Sequence, residues 1–169
     1  MKTFLLAALA PLALAFGLAH AAPKAAPLPS DSVYQLNAPL VDQRARKLRL
    51  ADKRGKVQLV SMFYTSCKFI CPLIIDSGKA IERSLTPAEQ KKLGILLISM
   101  DPQRDDPTKL ATVFNKRKLD PTRWTLASPT PGDVRAIAGV LGIRYRQLED
   151  GEFNHTSALV LLDANGRVL

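Results

Sequence analysis

Val57-Gln58-Leu59-Val60-Ser61-Met62-Phe63-Tyr64-Thr65-Ser66-Cys67-Lys68-Phe69-Ile70-Cys71-Pro72 is the stretch that decides how this chain is read. Its first seven residues form an apolar run of strand length, the pattern of a strand covered on both faces. The run leads straight into Cys67 and Cys71, the only two cysteines among 169 residues. Three residues separate them, a spacing that brings both sulfurs to one face if the segment is helical. From Pro72 to Ser84, Leu73, Ile74, Ala80 and Ile81 fall near helical spacing. A buried strand therefore hands over to a helix at a dithiol. Helix N-termini favour anions there, and Lys68 adds a positive charge, so both effects favour a thiolate. Pro72 disfavours helical geometry at Cys71, which predicts an exposed, irregular first turn open to a partner.

Outward from this centre, strands and helices alternate. Before it, Val33–Leu36, Pro39–Asp42 and Lys47–Leu50 read as short strands with an edge hairpin. After it, Thr86-Pro87-Ala88-Glu89 is a capping box that starts a short helix, and Leu93–Met100 is a second buried strand. Asp106-Pro107 opens a helix to about Lys118, and Trp124–Ala127 is a strand. Thr130-Pro131 opens a helix ending at Gly142, and Arg144–Gln147 and Ser157–Leu162 close the series. The order calls for an α/β sandwich around a central sheet in one domain. Asn165-Gly166 is a type I′ hairpin signal, yet only Arg167, Val168 and Leu169 follow it. That predicts a chain truncated at its C-terminal end.

At the other end, Lys2, the apolar Phe4–Leu18 run and Ala19-His20-Ala21 match a secretory signal peptide over residues 1–21. Residues 22–32, rich in Ala and Pro, read as a flexible leader, and the domain as 33–169. Export places the chain in the periplasm or on the outer face of the cytoplasmic membrane. Cleavage would remove His20 and leave His155 as the single histidine. The formal charge of +9 suits an acidic protein or anionic lipid headgroups. Nucleic acid is excluded as a partner by the export signal and by the lack of aromatics interleaved with the basic residues. Arg44, Arg46, Lys47, Arg49, Lys53, Arg54 and Lys56 cluster around the predicted edge hairpin. Such a cluster reads first as a solvated face and second as a route to membrane-surface association.

Cys67, Cys71 and His155 must share whatever thiol and imidazole chemistry the exported domain performs. Two thiolates and one imidazole suit Cu(I) by softness and accept Cu(II) or Zn(II) as well. A structural zinc site wants a fourth protein ligand, so a transferable ion fits better. A plain disulfide would close a short loop and stabilise little. Met62 and Met100 lie in apolar strands and read as core.

F-Y-T-S-C-K-F-I-C-P, S-M-D-P-Q-R-D-D-P and F-N-H-T-S-A-L-V-L-L-D-A-N-G-R, in this order, resemble the SCO/SenC family of copper chaperones. The resemblance implies a thioredoxin-like three-layer sandwich with an N-terminal β-hairpin, here without its last strand and helix. It implies that Cys67, Cys71 and His155 hold copper, as Cu(I) or Cu(II), with Asp101 as an accessory residue near the site. The implied role is delivery of copper to the dinuclear centre of cytochrome c oxidase. The implied partners are the copper-accepting oxidase subunit, a thioredoxin-like reductant and another copper carrier. Lys68 and Phe69 depart from the family's usual Pro-Asp, which keeps a second reading open. In it, Cys67 and Cys71 are the catalytic pair of a thiol–disulfide oxidoreductase acting on an exported partner.

Overall fold

In the computed structural model, which describes residues 26–169, the expected alternation of strands and helices is present. The expected signal peptide, residues 1–21, and the first part of the expected leader lie outside the described residues. Strands β1 (Pro39–Asp42) and β2 (Lys47–Arg49) make the N-terminal hairpin, and β3 (Val57–Phe63) follows. Helices α1 (Ile70–Ser84) and α2 (Pro87–Gln90) lead to β4 (Leu93–Ser99), then α3 (Pro107–Lys116) to β5 (Trp124–Pro129). The chain ends through α4 (Val134–Val140), β6 (Tyr145–Gln147), β7 (Phe153–His155) and β8 (Val160–Leu162).

The main sheet has the order β2-β1-β5-β4-β3-β8. Strands β3, β4 and β5 run parallel, and β1 and β8 join them antiparallel on either side. β4 is buried at every position and β3 at all but its first, as their near-continuous apolar sequences require of central parallel strands. α1 and α3 are tied together by the Asp76–Arg117 ion pair and by Lys79, which donates to the Arg117 carbonyl. Under α1, Gly78 lies against the ring of Trp124, whose indole N–H donates to Glu82 at 3.0 Å. Met62 and Met100 are core residues, as their strands predict.

Several local expectations give way to side-chain chemistry. Val33–Gln35 is a 3-10 turn rather than a strand, because the Ser32 hydroxyl accepts the Tyr34 N–H at 3.1 Å and caps it. β2 ends at Arg49, because Leu50 turns inward to full burial at the start of a second 3-10 turn, Leu50–Lys53. α4 starts at Val134, after a turn closed by the Asp133 N–H on the Thr130 carbonyl. Gly142, at φ +67°, ends α4 as expected, and the Ile143 N–H reaches back to the Ala138 carbonyl.

The Asn165-Gly166 turn is not type I′, since only Gly166 takes a positive φ, +82°. It is a three-residue connection: Gly166 N–H donates to Asp163 and Asp163 N–H to Arg167. The three residues after it return along β8, with Val168 opposite Leu162. Gly166 also presses on the ring of Tyr34.

The basic cluster divides in two. Arg46 pairs with Asp42, Lys53 donates to the Thr125 hydroxyl, and Arg54 holds Asn165. Arg44, Lys47, Arg49 and Lys56 are exposed, and those on β2 keep an edge strand charged.

Candidate metal centre

β3 delivers the chain to the site, and the parallel register decides what meets it there. Phe63 stands opposite Ser99, so the loops that follow β3 and β4 leave the sheet side by side. Asp105, in the second loop, is 1% exposed. Its carboxyl oxygens accept the Thr65 N–H at 3.0 Å, the Thr65 hydroxyl, and the Ser99 hydroxyl at 2.6 Å. This buried acid fixes the turn two residues before Cys67.

Cys67 lies before the helix, in that turn, while Cys71 lies inside its first turn. α1 thus begins at Ile70 and not at Pro72. Proline is tolerated there because first-turn N–H groups have no helical partner to lose. Cys71 is consequently buried, 3% exposed, rather than displayed, and Cys67 is half-buried. No side chain of the N-cap residue Phe69 caps α1. Instead the Cys67 sulfur accepts the Cys71 N–H at 3.3 Å.

This geometry sets the two thiols apart. Burial alone would push Cys67 up, but the backbone N–H and thiol of Cys71 and the N–H of Phe69 outweigh it and hold Cys67 below the ordinary thiol range. Burial pushes Cys71 well up, reinforced by the facing Cys67 and by Asp105. Hydrogen bonds and the helix start therefore favour thiolate at Cys67. Lys68, expected to contribute, is exposed on the rim.

His155 is the last residue of β7, a strand the sequence pattern did not indicate. β6 and β7 form a separate two-stranded sheet that pairs Tyr145 with His155. Tyr64 attaches this hairpin to the body. Its hydroxyl donates to Glu152 at 2.8 Å, and its ring meets Phe153 at 5.1 Å and the edge of His155 at 6.2 Å. Burial first, and then the bond to Glu152, push the Tyr64 hydroxyl well up. A cavity of about 550 Å³ separates the two halves, with Cys67 and Phe69 on one wall and Leu148, Phe153 and His155 on the other. The His155 Nδ1 lies 3.2 Å from the Thr156 carbonyl, which can only accept. With the proton on Nδ1 that contact is a hydrogen bond, and Nε2 is left as the donor atom for a ligand.

Cys67 and Cys71 are thus neighbours, and His155 shares a cavity with Cys67. Among the described residues, no three His, Cys, Asp or Glu side chains converge closely enough to hold one ion. Asp101 is buried and lines a different hollow, with Met100, Tyr145 and Phe153. Its carboxylate takes the Arg104 guanidinium, which also donates to the Gly151 carbonyl at the hairpin turn. Asp101 therefore reaches the site through Arg104 and the hairpin. Tyr64, Arg104, Asp105 and Glu152 are the residues sequence reasoning passed over. Asp105 had a signal, the second of three acids in D-P-Q-R-D-D-P after a strand parallel to β3. Glu152 had none, because its partner is 88 residues away.

A family model described as SCO1/SenC matches residues 32–169. A SCO1 protein homolog of Bacillus subtilis (strain 168) is 24% identical over 131 residues, 76% of this chain and 67% of that protein. The structure of Bradyrhizobium japonicum ScoI with copper bound superposes with a TM-score of 0.69 at 24% identity, covering 78% of this chain and 84% of the other. Yeast Sco1 with copper bound gives 0.66 at 20% identity, covering 78% and 75%. The thioredoxin-like α/β fold implied by the motifs is the fold observed.

Proposed function

The chain belongs to the SCO1/SenC family, and from that premise we propose that it is an extracytoplasmic copper-binding chaperone whose cargo is held by Cys67, Cys71 and His155. The observation that carries this reading is the shared cavity: one soft sulfur donor and the single histidine outside the signal segment line the same 550 Å³ space. Relatives captured with copper support the choice of metal. A thiolate-rich donor set with one imidazole suits Cu(I) and accepts Cu(II). Holding one ion with all three groups requires the cavity to narrow, bringing the β6–β7 hairpin toward α1. The half-exposed Cys67 is then the donor that an incoming acceptor meets first. The acceptor in this reading is the copper-receiving subunit of cytochrome c oxidase, with an upstream copper carrier and a thioredoxin-like reductant keeping both thiols reduced. Among the described residues no helix is long and apolar enough to cross a membrane.

A second reading draws on the asymmetry of the two thiols. The Cys67 thiolate attacks a target disulfide, forming a mixed disulfide and releasing one target thiolate. Cys71 then loses its proton and attacks the Cys67 sulfur, giving a Cys67–Cys71 disulfide and a fully reduced target. His155 discriminates the two, because exchange needs only the dithiol. A copper titration of the reduced protein should give one ion per chain, and His155→Ala should weaken Cu(I) binding at least tenfold while leaving disulfide exchange intact. Unchanged copper affinity in that variant would refute the three-ligand site. Stoichiometric Cu(I) retention by the disulfide form would refute thiolate ligation.

A further inference from the structure

The β6–β7 hairpin has two unlike faces. Side chains alternate along a strand, so Tyr145, Phe153 and His155 share the face that meets Tyr64. Arg144, Arg146 and Asn154 share the other, with Arg146 directly opposite Asn154. Two adjoining open hollows, of about 650 and 370 Å³, have Arg144 and Arg146 in common. The larger adds Arg135 from α4, and the smaller adds His155. Neither is lined by a carboxylate.

These three arginines are exposed, and they differ from most others in the chain. Arg46, Arg104, Arg117, Arg123 and Arg167 each hold a carboxylate. Among the described residues, Arg135, Arg144 and Arg146 hold none. The acids closest in sequence are committed or displaced: Asp133 takes the Thr130 hydroxyl, and Glu152 takes Tyr64. Glu149 and Asp150 sit at the hairpin tip. Three uncompensated guanidinium groups around one hollow concentrate a positive field at the outer side of the strand that carries His155.

We infer that Arg135, Arg144 and Arg146 form a docking face for an acidic patch on the protein that meets the cysteine end of the molecule. Guanidinium forks pair with carboxylates two bonds at a time, so such a patch gains register as well as attraction. His155 lines both the smaller hollow and the cavity that holds Cys67, so a bilayer seated on this face would cover the histidine, which favours a protein patch over lipid. The inference rests on the charge pattern and on a protein partner meeting the cysteine end, which both readings of the cysteines under the proposed function require.

Titration of the ¹⁵N-labelled protein with a deca-glutamate peptide tests it. Amide shifts should concentrate at Arg135, Arg144, Arg146 and Asn154. The triple variant R135Q/R144Q/R146Q should bind the peptide about tenfold more weakly, and the wild-type affinity should fall as ionic strength rises from about 20 to about 200 mM. Because all three positions are exposed, the variant's melting temperature should match the parent's. Shifts concentrated at Arg44, Lys47 and Arg49 would overturn the inference, as would equal peptide affinity in the variant. A variant that keeps peptide binding but loses binding to phosphatidylglycerol vesicles would assign the face to lipid instead.

Discussion

Replacing Asp105 should loosen the cysteine loop while both cysteines stay in place. Its carboxyl oxygens accept three donors: the Thr65 N–H, the Thr65 hydroxyl and the Ser99 hydroxyl. Leaving a buried donor unpaired costs about 1–3 kcal/mol. Ser99 is wholly enclosed, so its hydroxyl counts toward the upper part of that range. Thr65 is half-buried, and water partly compensates its two groups. Asp105→Ala should therefore cost about 3–4 kcal/mol, or roughly 10 °C in melting temperature for a domain of this size. Asp105→Asn keeps one acceptor oxygen, and the Thr65 hydroxyl can rotate to accept from the new amide. Its cost should be about 1 kcal/mol. Urea and thermal unfolding followed by circular dichroism give both numbers. Copper titration of the same variants should show Asp105→Ala about tenfold weaker and Asp105→Asn near the parent. If Asp105→Ala melts within about 2 °C of the parent, the carboxyl is not what holds the loop. If Asn proves as damaging as Ala, the number of satisfied donors is not the quantity that matters.

Two further outcomes follow from the fold. Gly78→Ala would place a methyl 2.7 Å from the Trp124 ring, which cannot retreat while its N–H is held by Glu82. Overpacking should outweigh the better helix propensity of alanine and lower the stability by about 1–2 kcal/mol in denaturant titrations. The second concerns acid stability. Burial acts to raise Asp42, but the N–H groups of Arg46 and Arg44 and the Arg46 guanidinium win and hold it below the usual carboxylate range. A depressed folded value means the stabilisation is present above the unfolded value of about 3.9 and is lost as pH falls through the folded one. Asp42→Asn should then be about 1–2 kcal/mol less stable at neutral pH, with a flatter decline between about pH 4 and pH 2. A parallel decline in parent and variant would show that Asp42 does not carry that slope.

The sheet was legible in the sequence wherever burial was complete. Val57–Phe63 and Leu93–Ser99 are apolar on both faces because both faces are covered, so pattern and structure coincide. Caps were equally plain: Thr86 and Glu89 satisfy each other's backbone donors, and Asp106 accepts the Lys109 N–H at 2.8 Å. The misreadings came where one side chain competed with a local pattern. Ser32 turned a strand signal into a 3-10 turn, and first-turn tolerance of Pro72 moved the start of α1 two residues forward and buried Cys71.

Cys67, Cys71 and His155 were singled out by the sequence alone, because their residue types are rare in this chain and their chemistry is specific. Their spacing could also indicate a shared face. What only the tertiary structure decided is the difference between the two thiols and the distance of the histidine. Cys67 is lowered by N–H groups that exist as an array only once α1 forms, and Cys71 is raised by a core that only folding assembles. His155 stands on a separate hairpin, attached through Tyr64 and Glu152, residues whose pairing spans 88 positions. Sequence carries identity and short-range spacing, whereas burial and long-range hydrogen bonds set protonation and reach.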